Sequence, residues 1–134
     1  QAPLQPTDVL SALNELLEAE RAGARVARET AAAIGANHDW QALVVDIQHD
    51  EVHWCGVLMK AIRELGGQPS DQTGAFHGKA MAIADLGERM AFLNRGQAWV
   101  VRKLQAMLPN LNDAGLRAAK RRDHGFRHHI HKMD

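Results

Sequence analysis

Four polar residues fall where helical periodicity calls for apolar ones: Glu20, Glu51, Gln97 and Asp123. Each continues the apolar row of a different predicted helix, counted at about 100° per residue. An unpaired charge is costly in an apolar interior. Buried acids are therefore explained by a bound metal, a shared proton or a buried counter-ion. Hard carboxylates suit iron, manganese or zinc, and Gln97 adds a neutral oxygen donor or a hydrogen-bonding partner. Asp50 flanks Glu51 on the same stripe.

The spacing places the four at one height. A turn near residue 36 lies about equally far from Glu20 and Glu51, and a turn near residue 110 does the same for Gln97 and Asp123. At roughly 1.5 Å per residue each pair is level within a residue or two.

The elements that must carry these residues are helices. The chain has no Tyr and no sustained apolar/polar alternation, so strands are not expected. A first helix starts at Thr7 or Asp8, runs through Leu13, Leu16, Leu17, Ala24, Ala27, Ala31 and Ile34, and stops at Gly35. A second starts near Asn37 or Asp39 and follows Trp40, Leu43, Val44, Ile47, Trp54, Leu58, Ile62 and Leu65 to Gly66-Gly67 and Pro69. A third is marked from Asp85, with Glu88 at capping-box spacing, through Leu86, Met90, Leu93, Val100, Val101, Leu104 and Leu108. A fourth, from Asn112 or Asp113, carries Leu116, Ala119, Phe126, Ile130 and Met133.

About three residues join helices one and two, and three and four, so each pair is expected to be an antiparallel hairpin. The connection from Gly66 to Ala84 is long enough to run the length of a bundle, with a short helix over 76–84 inside it. The expected fold is all-α: a single four-helix domain over residues 1–134, two hairpins with a long crossover between helices two and three, with a plain up-down bundle whose long connection forms a lid as the alternative.

This arrangement resembles the ferritin-like di-iron superfamily, in which two helices each give a Glu and the other two each give Glu-x-x-His. Glu20 and Glu51 match its carboxylates. Asp123 stands for a third and Gln97 for a fourth, while Trp54 and Phe126 occupy the two His positions. The chain also resembles small bacterial ferritin-like proteins through Leu13-Asn14-Glu15-Leu16-Leu17-Glu18-Ala19-Glu20-Arg21-Ala22-Gly23 and Arg95-Gly96-Gln97-x-Trp99-Val100-Val101-Arg102. The resemblance implies a fold, and by extension oxygen or peroxide chemistry or metal handling; it brings no established activity.

Two other imidazoles bear on the ligand set. Asp50-x-x-His53 has the ligand spacing, but His53 lies roughly 130° from the stripe centre. His124 enters only if the last helix is rotated. With three central acids and no core imidazole, the set suits one ion better than two. The competing expectation is a metal-free structural or interaction bundle whose acids share protons or pair with Arg. A small-molecule pocket using the same polar anchors is a third.

The bulk numbers close off other classes. Lys plus Arg equals Asp plus Glu, 16 each, which argues against nucleic acid as a partner. No apolar run is long enough to span a bilayer, so no membrane role is expected. Single Cys55 excludes an internal disulfide and a cysteine-based zinc site, and fits a cytoplasmic protein. The chain opens on Gln1 rather than Met, which leaves a removed N-terminal segment open. His124, His128, His129 and His131 form an imidazole-rich tail able to take zinc, nickel or copper. Phe92 and Trp99 lie off the third helix's apolar row and suggest a homodimer surface.

Overall fold

A computed structural model describes residues 6–107. They form α1 (Pro6–Ile34), α2 (Gln41–Glu64), α3 (Phe76–Met81) and α4 (Leu86–Met107), with no strand among the described residues. The all-α expectation holds. Asp123, His124 and the rest of the expected last helix lie outside the described residues. The chain divides into two compact units, one through His77 and one from Gly78.

In the first unit α1 and α2 pack as a hairpin. Leu13, Leu16, Leu17, Val26 and Ala27 of α1 are buried, as are Leu43, Val44, Ile47, Trp54, Leu58 and Ile62 of α2. Each fully buried Leu or Ile contributes about 1.5–3 kcal/mol relative to exposure. Leu65, expected on the stripe, is instead exposed beyond the last turn of α2.

The connection between the helices is longer than the expected three residues. It spans residues 35–40, and α2 starts only at Gln41. Gly35 ends α1 with φ +82°, and its N–H donates to the Ala31 carbonyl at 3.2 Å, a left-handed cap that glycine adopts without steric cost. His38 then folds the turn back: its N–H donates to the Gly35 carbonyl, and its Nδ1 accepts from the Trp40 N–H at 3.0 Å.

α2 ends in a Schellman motif. Gly66, at φ +81°, donates its N–H to the Arg63 carbonyl, and Gly67 donates to the Ile62 carbonyl, both at 2.9 Å. The chain beyond Gly67 becomes a strap along α1, running in the same direction as that helix. Asn14 brackets it, donating to the Gln68 carbonyl at 3.2 Å and accepting from the Ser70 N–H at 2.7 Å. Ser70 Oγ donates to Glu18 at 2.6 Å, and Arg21 donates to the Gln72 carbonyl at 2.8 Å. At its far end His77 Nε2 meets Glu29 at 2.8 Å, and Arg25 holds the other Glu29 oxygen at 3.0 Å.

α3, which starts at Phe76 in the first unit, stops at Met81, three residues short of the expected 84. The expected start of α4 is borne out: the Asp85 carboxylate accepts from the Glu88 N–H at 2.9 Å, which caps the helix. Met90, Leu93, Val100, Val101 and Leu104 are buried along it.

The Schellman cap yields a prediction. Gly66→Ala forces a Cβ into the left-handed region and should cost about 1–2 kcal/mol. Urea denaturation would show the loss; an unchanged midpoint would mean that the cap does not hold α2 in register.

Candidate functional site

Of the expected site residues, the hairpin brings two together. Glu20 is 1% exposed and Glu51 6% exposed, the only buried carboxylates among the described residues. They are not level. The centre of the turn lies between residues 37 and 38 rather than at 36. Moving the centre of an antiparallel hairpin by about one and a half residues moves its register by about three, so Glu20 faces the region of Cys55, and Glu51 the region of Gly23 and Ala24.

The side chains agree with that register. A Cβ built on Gly23 would overlap Glu51 Oε2, and would lie 2.7 Å from Glu51 Cδ and 3.2 Å from Oε1. The Glu51 carboxyl thus fills the space where a side chain on α1 would be. Sequence periodicity ran the α1 stripe through Ala24. In the structure Ala24 is half-buried and Gly23 is fully in the interior, which is why Gly23 escaped notice. The signal available was a glycine three residues after a core acid, in a helix otherwise rich in Ala and Leu.

The electrostatics follow from burial. Loss of hydration pushes the Glu51 carboxyl well above the usual carboxylate range, and the negative charges of Glu20 and then Asp50 push it the same way. Cys55, buried one turn after Glu51, has its thiol raised to about 12, first by burial and then by Glu20; Arg21 opposes, and Glu51 adds to the rise. Such a thiol is protonated and inert at neutral pH.

Asp50 is half-buried at the edge of this cluster. His53 is exposed, its ring edge-on to Trp54 at 5.9 Å, and Trp54 is buried in the position where the ferritin-like pattern has an imidazole. Gln97 is half-buried on α4 in the second unit. Asp123 and His124 lie outside the described residues. Among the described residues no three His, Cys, Asp or Glu side chains are arranged to hold a metal ion. Phe92 and Trp99 are half-buried, and each is covered by a cation, Arg95 at 5.7 Å and Lys103 at 5.8 Å from the ring centres. No helix among the described residues is long and apolar enough to cross a membrane.

Two predictions arise here. Because the folded Glu51 carboxyl is raised above its ordinary 4.5, the native protein holds this proton longer than the unfolded chain. Its contribution is fully present below about pH 4.5 and is lost as pH rises through the folded value. Urea midpoints of metal-free protein between pH 5 and 8 should fall more steeply for wild type than for Glu51→Gln, by up to about 1.4 kcal/mol per pH unit. Equal slopes would refute the raised carboxyl. Native Cys55 should also react with an aromatic disulfide at pH 8 at least about 100-fold more slowly than in urea-unfolded chain; comparable rates would show an open thiol.

No curated protein and no solved structure matches the chain. A family described as "Domain of unknown function (DUF6306)" matches over residues 7–133. With nearly its whole length inside that match, the chain belongs to the DUF6306 family.

Proposed function

We propose that this chain is a ferritin-like four-helix protein whose α1–α2 hairpin supplies the carboxylate half of a buried divalent-cation site. The observation that carries the reading is the placement of the Glu51 carboxyl on Gly23, inside a core that also holds Glu20. Apolar residues of like volume in place of buried charged groups are often neutral or stabilising, so two acids in one hairpin core point to a use beyond stability. A cation removes that cost by taking both as ligands.

Two buried carboxylates are hard donors, which fits manganese, iron or zinc. The nearby imidazoles do not join them, since His49 and His53 are exposed. Two carboxylates without an imidazole suit one ion rather than two. A bound iron or manganese would supply the oxygen or peroxide chemistry that the ferritin-like resemblance implies. The residues of the chain itself do the rest: the apolar rows around Glu20 and Glu51 exclude water, and Glu51 must give up its proton to act as a ligand. Ion binding therefore releases protons and strengthens as pH rises.

One observation favours a second reading, a metal-free interaction bundle. Trp54 fills the interior position where an imidazole would ligate. In that reading Glu51 keeps its proton and shares a site with the Glu20 charge.

Calorimetry separates the two. Mn²⁺, Zn²⁺ and anaerobic Fe²⁺ would be titrated into metal-free protein in which His128, His129 and His131 are replaced by Asn, so that the tail cannot take the ion. The proposal expects about one equivalent bound with proton release, and a loss of at least about tenfold in affinity for Glu20→Gln and for Glu51→Gln. No binding, or equal binding by both variants, would overturn it. Greater stability of Glu51→Leu without any metal effect would establish the second reading.

A further inference from the structure

Gly23 has an unusual position for a glycine in the middle of a 29-residue helix. Its backbone is ordinary, since positive φ among the described glycines occurs only at Gly35, Gly66 and Gly74. Backbone conformation thus gives no reason for glycine here. In a helix interior glycine is less favourable than alanine, so an ordinary position would gain from a methyl group. What a methyl would meet is one group, the Glu51 carboxyl at the end of its side chain: all three of the nearest atoms to a Cβ at Gly23 belong to it, so a methyl is accommodated only by moving that carboxyl out of its place. Gly56 and Gly78, by contrast, have open space around the same point.

We propose that Gly23 is the positioning residue of the site: the missing side chain at this place on α1 is the socket that holds the Glu51 carboxyl inside the core. The geometry supports this in both directions. The carboxyl cannot keep its place if α1 carries a Cβ at residue 23. Nor can it be replaced there by a shorter acid without drawing back from α1. Glu51 is the longer of the two common acids, and the extra methylene is what carries its carboxyl across to the partner helix. The role assigned to Gly23 rests on the cation reading only for its purpose; the socket itself is a steric statement about two residues.

The test is a sign reversal. Gly23→Ala, Glu51→Asp and the double variant are compared with wild type by thermal unfolding of metal-free protein and by Mn²⁺ titration, with the tail histidines replaced as above. Gly23→Ala should lower Tm by roughly 5–10 °C, where an ordinary helix glycine would hold or gain. It should weaken Mn²⁺ by at least about tenfold. Glu51→Asp draws the carboxyl back by about one bond, near 1.5 Å. That change should weaken Mn²⁺ binding in the wild-type background and recover at least half of both losses in the Gly23→Ala background.

A Gly23→Ala protein as stable as wild type overturns the proposal, as does a double variant no better than Gly23→Ala. If Gly23→Ala does not fold alone, recovery of folding in the double variant supports the socket and failure of both overturns it. If wild type binds no Mn²⁺, the cation reading fails while the Tm reversal still decides the socket.

Discussion

The register of the α1–α2 hairpin is the constraint on which the rest depends. Two helices of this length can slide past one another in steps of one turn, each step about 5.4 Å. Their Leu and Ile rows would pack nearly as well after such a slide, because apolar contact is not directional. The carboxyl of Glu51 is selective where the Leu rows are not: it fits only opposite a residue without a side chain, and Gly23 is that residue. The caps cooperate. Gly35 ends α1 and the Schellman turn at Gly66 ends α2, so both helices stop at defined points and the six-residue connection sets where they meet.

Placing acids in this core has consequences beyond the acids. Burial and then the charges of Glu20 and Asp50 raise the Glu51 carboxyl well above the usual carboxylate range, and burial and then the charge of Glu20 raise the Cys55 thiol one turn along. The thiol is thereby kept from the thiolate form that oxidants and metals attack. On the far side of α1, the charged groups behave in the opposite way. Glu29 lies below the usual carboxylate range, chiefly because His77 donates to it, with Arg25 adding to the effect. Glu51 in the interior and Glu29 at the strap are thus shifted in opposite directions.

Much of this was legible in the residues. The helices of the described residues, the caps at Gly35, Gly66 and Asp85, and the inward facing of Glu20 and Glu51 all follow from period and from turn chemistry. Three things did not. The length of the first connection was hidden because Asn37 and Asp39 look like helix starts, whereas His38 uses its ring nitrogen to hold the turn open until Gln41. Gly23 was hidden because a stripe count tolerates a shift of one residue, and Ala24 is the more conventional core residue. The strap was hidden because its attachments pair residues more than 45 positions apart and involve polar side chains, which carry no periodic signal.

That strap has a kinetic consequence. The hairpin closes through contacts across one short connection, the kind that forms early, whereas the ties from α1 to residues 68–77 close loops of about fifty residues. Apolar burial contributes little to them, so the free energy of docking is a handful of hydrogen bonds set against the ordering of about ten residues. The segment is therefore expected to join the hairpin after it forms, and to open at a lower cost than the core beneath it. Within the first unit, a protease or an exchanging solvent proton would meet the strap before the helices that enclose Glu20 and Glu51.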